Sequence, residues 1–436
     1  MKIKIFEVFD YVLFACVLIL VTMGIAFIYS SGINSEGSLV TNEYIKQIIW
    51  ASFGIIIMIL SSLHDYNKFE RYSQNLYIGL LAVLLYTCLF GRYVNGARSW
   101  LGIGDFGIQP SEFGKIVFIV FLAHYLSETK NGNQLKRFFT AIGILILPVG
   151  LILAQPDLGT ASVYIPIFLV MCFMAGIPSR YIVFILGIGI GTIFLTIIPV
   201  WNIVIAKNSF AVIGALTMPK LRLFFIMATA LITVIGVIGL RYLPGKKYFY
   251  WISYSFLILT ISLVLSFAAG KVLKDYQIKR LIVYMDPSID PLGAGWNIIQ
   301  SKIAIGSGGV FGRTFLHGTQ SHYRFLPQQS TDFIFSILSE EIGFVGGLFV
   351  FVLYAVIMLR TLKIMRNSSS SFGCYIASGI LAMFAFHFFI NVGMVMGIMP
   401  ITGIPLLFLS YGGSSLWTAM ICCGILMSIN YRKYDK

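Results

Sequence analysis

The chain has 436 residues, of which 58% are hydrophobic and only 11% charged, and its mean hydropathy is +0.89. Repeated apolar runs of about 18 or more residues exclude a soluble enzyme held by a single anchor. A net charge of +14 without a basic patch interleaved with aromatics excludes nucleic acid as a partner and leaves anionic lipid as the expected counter-charge.

A span must satisfy its own backbone hydrogen bonds, so the apolar runs predict an all-α, polytopic membrane helix bundle of about twelve spans. In chain order they fall near 9–30, 46–63, 73–90, 112–127, 139–155, 159–177, 181–200, 223–241, 248–268, 333–360, 372–397 and 412–430. The first run follows only MKIKIFEV, is too long for a signal h-region and has no small-residue cleavage pattern, so it is expected to remain as a span. Lysines and arginines in short connections favour the cytoplasm. Lys2, Lys4, Lys68, Arg71, Lys136, Arg137, Arg241, Lys246, Lys247, Arg360, Lys363, Arg366, Arg432 and Lys433 then share one side, which makes both termini cytoplasmic. Cys16, Cys88, Cys172, Cys374, Cys422 and Cys423 lie in apolar runs without metal or CxxC spacing and read as packing residues. No linker or low-complexity tail marks a second domain, so 1–436 is expected to be a single membrane domain.

This orientation gathers four unusual segments on the outer side: NGARSWLGIGDFGIQPSE (95–112), QPDLGT (155–160), the stretch 271–332 between the ninth and tenth spans, and MPITGIPLLFLSYGGSS (399–415). A connection of about 60 residues that is not low-complexity is usually functional. In QPSEFGK, Pro110 suits a first helical turn and Glu112 meets the positive end of the helix dipole, with Lys115 on the same face. A helix start with a local ion pair explains this spacing, but a Glu and a Lys at membrane depth are costly unless they face a cavity. QPDLGT repeats the Gln-Pro-acidic start with Asp157.

Of the 17 carboxylates, the outer segments and adjoining helix ends hold Glu36, Glu43, Asp105, Glu112, Asp157, Asp275, Asp286, Asp290 and Asp332, while Glu340 and Glu341 lie within a span. Asp286 and Asp290 each precede a proline in DPSIDPLGAGWNIIQ, a pattern that by itself reads as two turn aspartates. Lys279, Arg280, Lys302 and the glycine-rich AIGSGGVFG surround them with cations and backbone N–H groups. That setting suits an anionic phosphate beside a proton acceptor. His317 and His322 read as solvated loop histidines.

The blocks NGARSWLGIG with IQPSEFGK, AQPDLGTA, KDYQIKRL, DPSIDPLGAGWNIIQSKIAIGSGGVFGRTFLHGTQS, FLPQQSTDFIFSILSEEIGFVG and NVGMVMGIMPITGIPLLFLSYGGSS stand in the order of the SEDS family (shape, elongation, division and sporulation), which the chain resembles over most of its length. The resemblance implies a peptidoglycan glycosyltransferase that polymerises lipid II on the outer face of the bacterial cytoplasmic membrane, together with a class B penicillin-binding protein that crosslinks the strands. The AIGSGG and LHGTQS wording is similar to the family's elongation branch rather than its division branch. The family's DPxGxGY motif matches Asp290, Pro291, Gly293 and Gly295, which makes Asp290 the expected general base. Arg98, Lys115 and Arg280 are the expected cations for the leaving undecaprenyl pyrophosphate, with Glu112, Gly293, Gly295 and Gln300 also expected in the substrate site. No metal site is evident in the sequence, and a divalent cation (Mg or Mn) enters only as a possible requirement.

Three departures from the family stand out. Trp296 replaces the motif's aromatic and keeps a ring there. Gln328, Gln329 and Ser330 replace a Glu and His ahead of Thr331 and Asp332, which read as a helix start with Phe333 packing inward. The region 181–270 holds an extra pair of spans beyond the family's common ten, which keeps 271–332 outside. Two other classes also accommodate intramembrane Glu and Lys: a transporter of lipid-linked precursor, and a non-catalytic scaffold for a penicillin-binding protein.

Overall fold

Every apolar run read from the sequence is helical in the computed structural model, which describes residues 9–434 apart from 95, 104–105, 206–209, 211–212, 215–217, 244–246 and 273–282. The helices are α1 Tyr11–Ser31, α2 Glu43–Leu63, α3 Asn67–Phe90, α4 Pro110–Glu128, α5 Gln134–Ala154, α6 Leu158–Met174, α7 Ser179–Val204, α8 Pro219–Tyr242, α9 Tyr248–Val272, α10 Ala294–Gly308, α11 Thr319–His322, α12 Ile334–Arg366, α13 Ser371–Val395 and α14 Gly413–Tyr431. Among the described residues, ten are long and apolar enough to cross a membrane. The two remaining expected spans are also helices. α6 is short at 17 residues, and α4 carries Glu112, Lys115 and Glu128.

One element was not anticipated. The segment 92–108 forms a three-stranded antiparallel sheet, β1 Arg92–Val94, β2 Ala97–Ile103 and β3 Phe106–Ile108, in the order β1-β2-β3. Trp100 pairs with Arg92, and Leu101 with Ile108. Glycines at 96, 102 and 107 hid the strands in the sequence by diluting the alternation a strand needs to be recognised.

The chain divides into two compact units, Met1–Ile177 with Asn297–Lys436, and Pro178–Trp296. In the first, the core lies along α13 and α14, whose apolar windows are 67% and 78% buried against 28% for α2 and α3. In the second, α8 packs on α9 and α9 on α7.

At one end of the first unit, arginines hold helix ends together. Arg360 grips Asp10, the N-cap of α1, through Nε and Nη2 at 3.1 and 2.7 Å. Arg432 donates to the Leu63 carbonyl at 3.0 Å and lies 3.3 Å from Asp65. Arg137, 2% exposed, donates to the carbonyls of Leu126 and Ala175, at the ends of α4 and α6, and to the Thr129 hydroxyl. Cations suit helix C-termini, where the last carbonyls have no partner within the helix.

Candidate active site

The Asp-Pro stretch in the second unit is built from its own backbone. Asp286 caps a 3-10 turn, Pro287–Ile289, its carboxylate accepting from the Ser288 amide at 3.0 Å and from the Ser288 hydroxyl at 2.5 Å. The Ser288 hydroxyl, followed by the amide, holds the Asp286 carboxyl below the usual carboxylate range. The Asp290 carbonyl accepts from the Gly293 and Gly295 amides at 3.3 and 3.0 Å, and the Trp296 amide donates to Gly293 at 3.2 Å. A β-carbon on Gly293 would overlap both Asp290 carboxylate oxygens, and one on Gly295 would overlap the Pro287 and Asp290 carbonyls. Gly293 thus clears the space over which the half-buried Asp290 side chain folds, and Gly295 lets its backbone approach the Pro287 and Asp290 carbonyls. Asp286 serves the turn, and the Asp290 carboxylate lies against Gly293.

In the first unit, α4 starts at Pro110 and brings Glu112 and Lys115 onto one face, Nζ to Oε1 at 2.7 Å, with the two residues 4% and 0% exposed. The Glu112 Oε2 has no hydrogen-bond partner among the described residues. Lys115 also meets His387 Nε2 on α13 at 3.1 Å, and His387 Nδ1 lies 3.0 Å from the Pro405 carbonyl. The sequence reading missed His387, although a histidine inside an apolar span is itself a signal, because such a group is costly without partners.

Short polar links join the conspicuous segments at this end of the unit. Gln109 donates to Asp157 at 2.8 Å, and its amide donates to Ser414 at 3.0 Å. The Arg98 amide donates to the Gln155 carbonyl at 3.2 Å, while the Arg98 residue is exposed on β2. Asp157 caps α6 by accepting from the Thr160 amide at 3.0 Å. Asn391 donates to the carbonyls of Asp332 and Ile404 at 3.0 and 2.8 Å. Gln300 is buried on α10 and Lys302 is exposed, with its chain lying over Gly397. Lys279 and Arg280 lie outside the described residues.

Several expectations change. The glycine-rich AIGSGGVFG packs its backbone against the protein: Gly312 donates to Gly308 at 2.8 Å, Arg313 to Glu340 at 3.0 Å, and the Gly309 and Val310 carbonyls accept from Phe344 and Val345 at 2.9 and 3.1 Å. This is a backbone seam against a break in α12, where Gly343 has φ 72 and ψ −162. A β-carbon on Gly312 or Gly343 would collide with the opposite backbone. Glu340 and Glu341, buried near the start of α12, hold the loop over them. Glu340 Oε1 accepts from the Thr319 and Gln320 amides at 2.8 and 2.9 Å. Glu341 accepts from the Leu316 amide at 3.2 Å and from the Ser30 hydroxyl. His322 is 9% exposed, with Nε2 3.9 Å from Glu341, so it is not a solvated loop residue; His317 is exposed. Gln329 bridges to the Ser31 carbonyl at 2.6 Å, the Ser330 carbonyl accepts from Tyr411 at 2.9 Å, and Gln328 takes a positive φ of 54. α12 begins after Phe333, which is 1% exposed, so Phe333 packs inward as expected while Thr331 and Asp332 precede the cap.

A bundle of apolar helices with buried charges and loop-held carboxylates defines an integral, multi-span membrane protein. The family of cell cycle proteins that groups FtsW, RodA and SpoVE matches residues 10–212 and 202–435. The chain is 54% identical over 433 residues to the peptidoglycan glycosyltransferase RodA of Treponema pallidum (strain Nichols), covering 99% of this chain and 100% of that one. It is 34% identical to stage V sporulation protein E of Bacillus subtilis (strain 168), with 98% of each covered. Against the peptidoglycan glycosyltransferase MrdB of Escherichia coli (strain K12) it is 32% identical, over 88% of this chain and 85% of that one. Its fold is similar to a chain of a solved peptidoglycan synthase complex, with a TM-score of 0.68 at 23% identity, covering 98% of this chain and 99% of that one. It is also similar to the rod shape determining protein RodA of Thermus thermophilus, with a TM-score of 0.61 at 21% identity over 98% of each chain. The chain belongs to the FtsW, RodA and SpoVE family, the SEDS family that its motif blocks resemble.

Proposed function

We infer that this protein is a peptidoglycan glycosyltransferase of the RodA, cell-elongation type, polymerising lipid II into glycan strands. The observation that carries this reading is the 54% identity to a RodA glycosyltransferase along essentially the whole of both chains. Asp290 is the general base. It takes the proton of the acceptor sugar's 4-hydroxyl, whose oxygen attacks the anomeric carbon of the growing glycan. The bond from that carbon to undecaprenyl pyrophosphate breaks, the leaving group departs with the electron pair, and the configuration inverts. Its support is the frame in which Gly293 leaves the Asp290 side chain its space while Gly295 closes on the Pro287 and Asp290 carbonyls.

The leaving pyrophosphate needs positive charge more than it needs a proton. Lys115 supplies it, since Glu112 and His387 engage two of the three donors of its ammonium. Arg98, Arg280 and Gln300 complete the proposed substrate contacts. A resident divalent ion does not fit the described residues. They hold no group of three ligating His, Cys, Asp or Glu side chains, and of the two buried carboxylates with an uncommitted oxygen, Glu112 is bonded to an ammonium and Glu340 to two backbone amides. Any divalent cation is therefore assigned to the incoming pyrophosphate. The arginine-rich helix ends face the cytoplasm with both termini, and 271–332 faces outward, as the distribution of Lys and Arg favours. The crosslinking partner is a class B penicillin-binding protein, a reading supported by the likeness to a chain from a complex that coordinates polymerization and crosslinking.

The test is glycan synthesis from lipid II by the purified protein with and without such a partner. Wild type and Asp286→Asn are expected to make polymer and Asp290→Asn to make none at equal folding. Normal polymer from Asp290→Asn removes the base. No polymer from wild type with its partner, beside an active control polymerase, removes the reading altogether.

A further inference from the structure

The polar chain on α4 and α13 has only one consistent arrangement of protons. A lysine ammonium donates three hydrogen bonds and accepts none. His387 Nε2, 3.1 Å from Lys115 Nζ, must therefore be the acceptor, and the ring proton must sit on Nδ1, 3.0 Å from the Pro405 carbonyl oxygen, which can only accept. The opposite tautomer would set N–H against ammonium and lone pair against carbonyl at once. Lys115 and His387 are 0% and 1% exposed, so water does not relieve either clash. One turn further along α13, Asn391 holds the preceding carbonyl, that of Ile404, at 2.8 Å. Two successive carbonyls of the 399–415 segment are thus pinned by residues at i and i+4 of one helix, but only His387 also reaches Lys115.

We propose that His387 is a positioning residue for the glycosyl transfer: as a neutral imidazole protonated on Nδ1, it orients the Lys115 ammonium and couples it to the loop at Pro405. The inference rests on the reading that Lys115 holds the substrate's anionic group. With Glu112 on one side and His387 on the other, the ammonium keeps a single orientation for its third donor. Without the imidazole acceptor it swings on a flexible four-carbon stem.

The test compares glycan synthesis from lipid II by the full-length protein carrying His387→Leu, His387→Asn, His387→Gln or Lys115→Ala, each with the crosslinking partner. Asn can still donate to Pro405 from the δ position but falls short of Lys115, whereas Gln places an acceptor where Nε2 stood. The expected result is a loss of at least about tenfold for Leu and Asn, the scale on which a misplaced binding group acts, with Gln recovering most of the activity. Gln as inactive as Leu, or Leu and Asn fully active while Lys115→Ala is dead, overturns the role of His387. Full activity of Lys115→Ala instead overturns the underlying reading of Lys115. A measurement independent of turnover covers variants that fail to fold. In 15N-histidine protein in lipid nanodiscs, the His387 resonances, assigned by their loss in His387→Gln, are expected to show a protonated Nδ1 and a bare Nε2. A bare Nδ1 overturns the proposal.

Discussion

A single methyl group at Gly293 is enough to test the frame around Asp290. The β-carbon of alanine would stand 2.5 Å from Asp290 Oδ1 and closer still to Oδ2, so the carboxylate has to move. Gly293→Ala is expected to lower lipid II polymerisation by about tenfold or more, on the scale of a displaced reacting group, while the unfolding temperature shifts little because residue 293 is exposed. Gly306→Ala is the matched control, since its β-carbon meets open space. Equal activity of the two variants would detach Gly293 from the chemistry. Asp290, Glu112 and Lys115 were legible in the sequence because a motif or an i,i+3 spacing marks them. His387 was not, because its partners come from positions 272 residues before it and 18 after it, and no local pattern records such a meeting.

At the level of elements, two carboxylates and one glycine fasten the segment 308–322 to α12. Glu340→Ala removes the acceptor of two part-buried amide bonds and is expected to cost about 1–3 kcal/mol, read as a lower unfolding temperature in detergent. Gly343→Ala places a side chain at φ 72 against the Gly312 backbone and is expected to cost about 2 kcal/mol or more. If both variants melt with wild type, the seam does not contribute to stability. The helices themselves were legible because burial in lipid demands long apolar runs. The seam was not, since glycines suited to cradling a phosphate and glycines that let two backbones touch read alike until the second backbone is in view. The same holds for the sheet at 92–108, whose pairing depends on register rather than on composition.

For the whole molecule, the distribution of Lys and Arg makes a prediction that does not depend on activity. With native cysteines replaced, a single cysteine at exposed Arg324 is expected to react with an impermeant maleimide added outside intact cells, and one at Lys433 only after permeabilisation. The reverse pattern would invert the map and move 271–332 to the cytoplasm. The separation into two sets of segments is already visible inside the first unit. Arg360 holds Asp10 and Arg432 holds Leu63 and Asp65 in one set, while in the other Gln109 joins Asp157 and Ser414, Gln329 joins Ser31, and Gln47 joins Ser410.

On the proposed orientation, Arg137, Arg360 and Arg432 have two successive duties. During insertion a basic residue acts only through its sign, and any nearby lysine would serve as well. Once the helices have met, the same guanidinium groups are wedged among particular carbonyls and the Asp10 carboxylate, where a displaced charge finds no equivalent seat. Engineering that relocates these arginines to reverse the chain's direction in the bilayer would therefore remove the fasteners of the helix ends in the same stroke. Such a chain is expected to insert backwards and then be degraded, rather than persist as a mirror-topology isomer.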